Sequence, residues 1–397
     1  MASLIAKRIE RLPVRAAGDG LLPAEVPVFR RRLMQWYRLN ARKLPWRGVS
    51  DPYRTWVSEI MLQQTRVAAV IEHYHDFLWK FPTIVALALA PEAEVLAAWS
   101  GLGYYRRARM LHKAAQFITK EMGGVLPTDA VGLRTLPGVG DYTSAAIASI
   151  SFGESVAVVD GNVERVLLRI TGRAQVATAA AKTFVQGQAS ALVPKKKLED
   201  GMNAAGDHNQ AMMELGATVC LPKGPLCLEC PVYGLCLTRG EHVTSARVAQ
   251  RSLPAAFLLH LRKQGTVTEV LLYRRPADES LMPGMLELPP LPQEAVATRE
   301  PLLRVRHSIT NTNYYVQVFA ARSARDKALL RVLPINDEGL EWVRTGRLAS
   351  HPLTGLARKV LQRLDVMELR KVQIEGMELK ASPLPVLPEM EQDEDEY

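Results

Sequence analysis

The sequence lacks any apolar run near the roughly 20 residues that a membrane-spanning helix needs. Its first residues, MASLIAKRIERLPVR, are basic but contain no apolar segment of the length found in secretory signals. These absences favour a soluble, cytoplasmic protein that does not enter membranes.

Cysteine is scarce, since the 397-residue chain has four, all between positions 220 and 236. Thiols packed into one short loop of an intracellular chain argue against disulfides and favour a metal site. The motif is Cys220-x6-Cys227-x2-Cys230-x5-Cys236. A [4Fe–4S] cluster needs four thiolates, and one compact loop can surround it. Zinc stays the alternative, although outer spacings of six and five fit the usual paired zinc spacing poorly.

Acidic residues are outnumbered, and the formal net charge is +9. The last nine residues, EMEQDEDEY, hold six acids, so the rest of the chain carries +15. A basic body suits a polyanionic partner such as nucleic acid.

The length predicts two or three domains. Residues 1–25 are expected to be a flexible extension, and residues 369–397 a disordered acidic tail. Apolar residues recur at helical spacing over 26–236. Residues 237–252 are polar and aperiodic, which is typical of a linker. Alternating segments such as TEVLLYRR and NYYVQVFA predict strands within 253–368, where LTGLARKVLQRL predicts a helix. The expected fold class is thus an all-α region followed by an α+β domain.

A glycine-containing turn separates two helical stretches and consists of Leu136, Pro137, Gly138, Val139 and Gly140. Glycine allows the backbone to approach a ligand closely, and the helix that follows presents free amides to an anion. This pattern predicts a helix-hairpin-helix that holds a phosphate without recognising base sequence. An ordinary turn between helices stays the alternative for these five residues alone.

The hairpin, a downstream aspartate and the cysteine spacing together resemble the endonuclease III superfamily of DNA glycosylases. Within it, several segments are similar to the adenine DNA glycosylase (MutY) family: RKLPWR (42–47), SEIMLQQTRV (58–67), GLGYYRRAR (101–109), LPGVGDYT (136–143), VDGNVERV (159–166) and NQAMMELGATVC (209–220). The resemblance implies a helix-hairpin-helix glycosylase core with a [4Fe–4S] loop and a Nudix-like recognition domain. It also implies a monomeric bacterial enzyme, associated with the nucleoid, that removes adenine mispaired with 8-oxoguanine or guanine in double-stranded DNA.

Two carboxyl groups can divide the hydrolysis of a glycosidic bond between them. Glu59 lies among apolar neighbours, which raise the pKa of a carboxyl group as a general acid requires. Asp160 begins a helix, whose dipole stabilises the anion that a cationic sugar needs. The structural alternative for Glu59 is an ordinary surface glutamate, and that for Asp160 is a simple N-cap. The resemblance implies that Glu59 protonates nitrogen 7 of adenine, and that Asn162 positions Asp160 or the water.

Tyr142 stands where bifunctional relatives carry a lysine that forms a Schiff base. A phenol cannot form that imine, so we expect base removal without strand cleavage. The resemblance also places Gln64 and Tyr104 as residues that fill the gap beside the orphan base. It implies an adenine pocket formed by Arg42, Leu44, Trp46, Arg47, Gln210 and Met213. Glu214 is expected to be structural. Plain packing or surface exposure stays the alternative for these six pocket residues, above all for Leu44 and Met213.

The C-terminal region departs from the family in two places. Leu286 replaces a tryptophan, and the segment expected to recognise oxidised guanine has Ile309-Thr310-Asn311 in place of Phe-Ser-His. The candidate lesion-recognition residues are His307, Ser308, Thr310 and Asn311. The acidic helix of a Nudix hydrolase is lacking after Gly284, so hydrolase activity is not expected there.

Two other functions stay open at this level. A bifunctional endonuclease III-like enzyme acting on oxidised pyrimidines is opposed by Tyr142 and the long C-terminal region. An inactive iron–sulfur DNA-binding protein is opposed by the presence of both Glu59 and Asp160.

Overall fold

The computed structural model describes residues 15–49, 51–176, 178–195, 203–242, 250–321, 328–335 and 337–367. The predicted acidic tail, most of the N-terminal extension and the middle of the predicted linker lie outside these residues. The described residues divide into two compact units: the first holds those within Met1–Glu59 and Val125–Ser245, and the second holds those within Ile60–Gly124 and Ala246–Ile374. The domain boundaries expected from the sequence stay a prediction.

The helices of the described residues, in chain order, are α1 (Glu25–Asn40), α2 (Pro52–Leu62), α3 (Val67–Lys80), α4 (Ile84–Leu89), α5 (Glu92–Trp99), α6 (Arg106–Glu121), α7 (Ala130–Arg134), α8 (Asp141–Phe152), α9 (Gly161–Ile170), α10 (Ala179–Leu192), α11 (Ala204–Thr218) and α12 (Gly355–Arg363). No helix of the described residues is long and apolar enough to cross a membrane.

The first unit is helical, and its core forms where α1, α9, α10 and α11 meet. Phe29, Leu33 and Tyr37 follow one another at four-residue spacing along α1, and all three are buried. They pack with buried side chains such as Leu167 of α9 and Leu215 of α11. The apolar stripe in the sequence therefore forms the face of α1 that is removed from water.

The second unit combines α3–α6 and α12 with two four-stranded sheets. Its strands are β1 (Arg251–Leu259), β2 (Leu261–Gln264), β3 (Val267–Arg274), β4 (Leu286–Glu287), β5 (Pro290–Leu291), β6 (Leu303–Ile309), β7 (Thr312–Ala320) and β8 (Leu340–Arg344). One sheet has the order β5-β1-β7-β6, and in the other β3 pairs with β2, β4 and β8. A helical region followed by an α+β region is thus confirmed.

The core of this mixed region lies between the sheets and α12. Val270 and Leu272 of β3, Val316 and Val318 of β7, and Val360 of α12 are among its buried residues. The alternating burial of Val316 and Val318 follows the two-residue period of a strand. β6 and β7 form an antiparallel hairpin in which Ile309 pairs with Thr312.

Candidate active site

Glu59 lies in α2 and is buried. The side chain of Asp51 accepts hydrogen bonds from the backbone nitrogens of Tyr53 (2.9 Å) and Arg54 (3.3 Å), so it caps the helix just before Pro52. Trp56 is fully buried, and Glu59 itself is 5% exposed. The helix thus carries a carboxyl group into an apolar interior.

Glu59 contacts Tyr142, which lies in the first turn of α8. The Tyr142 hydroxyl donates to Glu59 Oε2 at 2.5 Å and lies 3.6 Å from the sulfur of Met213. Burial raises the pKa of Glu59 to about 7, although the Tyr142 hydrogen bond lowers it. The negative charge of Asp160 raises this pKa further, and the charge of Arg47 lowers it. Burial and the neighbouring carboxylate together raise the pKa of Tyr142 well above its usual value.

Asp160 is the N-cap of α9 and has both carboxylate oxygens engaged. Its Oδ1 accepts from the backbone nitrogen of Val163 (2.7 Å), and its Oδ2 accepts from Asn162 Nδ2 (2.8 Å). The positive end of the helix dipole stabilises a carboxylate at this position. The predicted N-cap is therefore confirmed, and Asn162 contacts the aspartate that it was expected to position.

A buried arginine extends this contact towards the cysteine loop. Arg165 Nη2 donates to Asn162 Oδ1 (2.8 Å) and to the Gly216 carbonyl (2.7 Å), and its Nε donates to the Cys220 carbonyl (2.7 Å). A Cβ at Gly216 would lie 2.6 Å from that of Asn162. Glycine therefore permits the close approach of α11 to α9 that brings these groups together.

Glu214 joins two of the predicted pocket arginines. Its side chain is 1% exposed and accepts from Arg42 Nε (2.7 Å) and Arg47 Nη2 (3.0 Å). Arg42 also donates through Nη2 to the other carboxylate oxygen at 2.8 Å. Burial alone would raise the pKa of Glu214, but the hydrogen bonds from Arg42 and Arg47 outweigh it and lower this pKa to about 2.

The other predicted pocket residues lie along the same part of the first unit. Gln210 Oε1 is 3.4 Å from Arg47 Nε and 3.5 Å from the Tyr37 hydroxyl, and Met213 is the residue beside Tyr142. Trp46 is buried and Leu44 is half-buried. The backbone nitrogen of Arg47 donates to the Leu44 carbonyl at 3.0 Å, which closes a tight turn.

The predicted hairpin forms the turn between α7 and α8. Leu136 and Val139 are buried, and the Val139 nitrogen donates to the Leu136 carbonyl at 3.1 Å. Gly138 has a φ of 74°, a conformation that favours glycine. The N-cap of α8 is Gly140, which has no side chain that could cap the first turn.

The four cysteines lie on the loop that follows α11, and they line one cavity together with the apolar side chains of Val166, Leu215, Val219 and Val232. Donors approach two of the sulfurs: Arg169 Nη1 is 3.4 Å from Cys220 Sγ, and the backbone nitrogen of Arg239 is 3.4 Å from Cys236 Sγ. Within the described ranges, no group of three or more His, Cys, Asp or Glu side chains is arranged to hold a metal ion.

Comparison with known proteins shows what this arrangement is similar to. Residues 57–185 match the HhH-GPD superfamily base excision DNA repair protein family. The chain is 46% identical to adenine DNA glycosylase of Homo sapiens over 242 residues, which cover 59% of this chain and 42% of the relative. It is 43% identical to adenine DNA glycosylase of Mycobacterium tuberculosis over 205 residues, which cover 50% of this chain and 64% of the relative.

These matches confirm the resemblance to adenine DNA glycosylases, and the chain spans less than two thirds of the length of either relative. A solved structure of a thermostable thymine-DNA glycosylase is 28% identical, has a TM-score of 0.48, and covers 54% of this chain and 97% of that one.

The HhH-GPD segment also contains Gln64 and Tyr104, which lie in the second unit. Gln64 is exposed in the turn between α2 and α3, and Tyr104 is 49% exposed in the turn between α5 and α6. Both have a positive φ, of 55° and 47°. Such values are uncommon for residues other than glycine.

The candidate lesion-recognition residues lie at the tip of the β6–β7 hairpin. Ser308, Thr310 and Asn311 are exposed, and His307 is half-buried. Ser308 Oγ donates to Asn313 Oδ1 at 2.6 Å. Burial and then the charge of Lys359 lower the pKa of His307. The hairpin therefore presents hydrogen-bonding side chains to solvent at its tip.

Two residues of the site were not assigned to it from the sequence. Glu214 was expected to be structural, yet it holds both pocket arginines, and its position one helical turn after Gln210 could have suggested a shared face. Arg165 follows Asn162 by three residues, which is also one turn. Its contacts with α11 and with the cysteine loop are tertiary, and no local pattern predicts them.

Proposed function

We propose that this protein hydrolyses the N-glycosidic bond of adenine mispaired with 8-oxoguanine or guanine in double-stranded DNA, leaving an abasic site for base excision repair. One observation carries the proposal: Glu59 is buried and hydrogen-bonded to Tyr142, and the negative charge that raises its pKa is that of Asp160, whose two oxygens accept from a helix N-terminus and an asparagine.

The two carboxyl groups suit opposite tasks. Glu59 is partly protonated at neutral pH because its pKa is about 7, and it can donate that proton to the departing purine. Tyr142 occupies Oε2, which leaves the other carboxyl oxygen to carry the proton. Asp160, whose two carboxylate oxygens accept hydrogen bonds from Val163 and Asn162, can stabilise positive charge that develops on the sugar.

Tyr142 supports base removal without strand cleavage. Its hydroxyl donates to a carboxylate, and a phenol offers no amine for a Schiff base with the abasic sugar. The groups around it suit an extruded base: a positive charge from Arg47, an amide from Gln210 and an apolar surface from Met213. Gln210 can make a two-point contact with an adenine edge.

A glycosylase assay tests the proposal. Duplexes pairing adenine with 8-oxoguanine, guanine or cytosine should yield alkali-labile sites for the first two pairs, and no scission without alkali. Glu59→Gln and Asp160→Asn should each slow base release by about 100-fold or more while DNA binding persists. Glu164→Gln, on the same helix as Asp160, is the control and should stay within about twofold of the wild type. Turnover retained by either active-site variant would contradict the assignment.

We propose that the four cysteines hold a [4Fe–4S] cluster that orders the loop against the DNA. In such a cluster each thiolate binds a different iron atom, so the sulfurs need not converge on one point as they do around zinc. The donors from Arg169 and Arg239 suit sulfurs that carry negative charge. The purified protein should be yellow-brown and should contain about four iron atoms per chain. A colourless protein that contains zinc instead would end this proposal.

The remaining assignments rest on the resemblance. We propose that the α7–α8 hairpin binds a backbone phosphate, and that the C-terminal α+β region is a Nudix-like domain that recognises the base opposite adenine. Asn311→Ala should then reduce the preference for 8-oxoguanine over guanine opposite adenine. If the ratio of the two base-release rates is unchanged, the tip of the β6–β7 hairpin does not recognise the opposite base. A monomer associated with the bacterial nucleoid is the expected cellular form.

A further inference from the structure

Gln64 and Tyr104 share an unusual backbone conformation, although they lie on separate turns of the second unit. Their φ values of 55° and 47° are in the left-handed region, where a Cβ is disfavoured. Such a conformation persists only when surrounding contacts enforce it, and it is frequent at sites that must be preorganised. The contacts that enforce it here indicate which residues fix the positions of Gln64 and Tyr104.

One guanidinium contacts both turns. Arg107 lies in the first turn of α6 and donates through its two terminal nitrogens. Its acceptors are oxygens of Ile60 and Met61 at the end of α2, of Gln63 and Thr65 in the turn that follows, and of Leu102 and Gly103 in the second turn. The distance is 3.0 Å to the Thr65 hydroxyl and 3.2 Å to the Gly103 carbonyl. Acceptors therefore lie on both sides of Gln64 and immediately before Tyr104.

The same group also contacts aromatic rings. The guanidinium carbon of Arg107 lies 5.4 Å from the centre of the Tyr104 ring and 5.5 Å from that of Trp99. Trp99 is fully buried, and its indole nitrogen donates to the Gly103 carbonyl at 3.1 Å. Tyr104 therefore rests against a fixed cation while half of its surface stays exposed.

Lysine could not replace this group. The planar guanidinium directs several N–H donors along fixed directions, whereas an ammonium is a single point with three donors. Burial lowers the pKa of Arg107 to about 10, so it stays charged at neutral pH.

We propose that Arg107 is a positioning residue that holds Gln64 and Tyr104 in one rigid frame, so that both side chains enter the DNA together when adenine is extruded. This inference rests on the proposed glycosylase function. Arg107 acts on base extrusion through the conformation of the two turns and not through a contact with the substrate.

The test compares Arg107→Lys with a matched control, Arg109→Lys. Arg109 lies on the same helix, and its guanidinium donates to Glu92 and to the backbone oxygen of Pro283 rather than to the acceptors that Arg107 contacts. Extrusion is followed by the fluorescence of 2-aminopurine placed opposite 8-oxoguanine, and base release by single-turnover kinetics on adenine. Arg107→Lys should reduce the extent of extrusion and the rate of base release by tenfold or more, while its affinity for undamaged duplex stays within twofold of the wild type. Arg109→Lys should change neither extrusion nor base release.

A double-mutant cycle separates positioning from general destabilisation. If Arg107 acts through the two turns, Gln64→Ala and Tyr104→Ala should each cost much less in the Arg107→Lys background than in the wild type. Thr65→Val removes one acceptor of the first turn and is a milder change, so its result does not depend on the stability of Arg107→Lys. In this background the cost of Gln64→Ala should become smaller, whereas the cost of Tyr104→Ala should not change. Fully additive costs in both cycles would overturn the inference. A wild type that releases no adenine would instead overturn the proposed function.

Discussion

Burial distinguishes Glu59 from an ordinary surface glutamate. Its apolar neighbours in the sequence predicted a raised pKa, and the structure places the side chain at 5% exposure with a pKa of about 7. The neighbour that matters most for its geometry, Tyr142, is more than eighty residues away along the chain. Local sequence therefore predicted the direction of the pKa shift, whereas the hydrogen bond depends on how α2 meets α8.

The raised pKa predicts that Glu59 makes stability depend on pH. Since its pKa rises from 4.5 to about 7 on folding, the folded protein binds a proton that the unfolded chain has released between these values. Stability should fall as pH rises through that window, by on the order of 3 kcal/mol. Glu59→Gln should abolish this loss, so the variant gains stability relative to the wild type between pH 5 and 8. Denaturant unfolding at several pH values measures it, and parallel curves for the two proteins would contradict it.

The raised pKa of Glu59 also predicts how base release depends on pH. A general acid must be protonated, so the rate of base release should fall as pH rises above about 7. Single-turnover rates of the wild type between pH 6 and 9 test this, with DNA held at saturation. A rate that rises over this range would assign Glu59 a role as base.

Glu214 shows what residue patterns leave out. The sequence motif predicted Arg42 and Arg47 in one pocket, and the structure adds the buried carboxylate that holds both. Because that carboxylate lies on α11, more than 160 residues later, its partners are set by the packing of α11 against the loop after α1. The resemblance located the arginines, whereas only the fold explains their orientation.

At the scale of elements, the sequence predicted where a helix begins. Asp160 was expected at the start of α9, and its side chain accepts a backbone hydrogen bond there, as that of Asp51 does at the start of α2. The strands at β3 and β7 and the helix α12 also lie where the alternation and the helical spacing predicted them. These features depend on neighbours within a few residues, so a single sequence suffices to predict them.

The α7–α8 hairpin contains two glycines with different physical tasks. Gly138 has a φ of 74°, so Gly138→Ala should cost about 1 kcal/mol of stability. Gly140 has an ordinary φ of −98°, and a Cβ there would meet no atom of the protein. Gly140→Ala should therefore leave stability unchanged, and, if the hairpin binds a backbone phosphate as proposed, the added methyl at the start of α8 should weaken binding to duplex DNA.

Thermal unfolding and fluorescence anisotropy with a labelled duplex distinguish the two variants. Binding by Gly140→Ala that equals that of the wild type would mean that the hairpin is only a turn, the alternative that its five residues alone leave open.

At the scale of the whole molecule, the sequence did not predict which segments pack together. Residues 60–124 continue the helical pattern that precedes them, yet they belong to the same compact unit as residues 246–374. Ser100 and Tyr105 each donate to the Leu353 carbonyl at 3.0 Å, and Arg358 Nε donates to the Ser100 hydroxyl at 2.9 Å. Each of these hydrogen bonds joins residues about 250 positions apart in the chain, and single hydroxyl groups create no periodic pattern from which such a contact could be predicted.

The net charge of +9 is a property of the entire chain, and it predicts how DNA binding responds to salt. Each phosphate that is neutralised by Lys or Arg releases counterions, so affinity for duplex should fall at least about tenfold between roughly 50 and 200 mM salt. The rate of base release from DNA that is already bound should change far less, because buried and partly buried groups such as Glu59 and Asp160 are poorly screened. Anisotropy titrations and single-turnover kinetics over the same salt series separate the two effects. Affinity that is independent of salt would mean that the positive charge does not face the DNA, and this result would hold whether or not the site removes adenine.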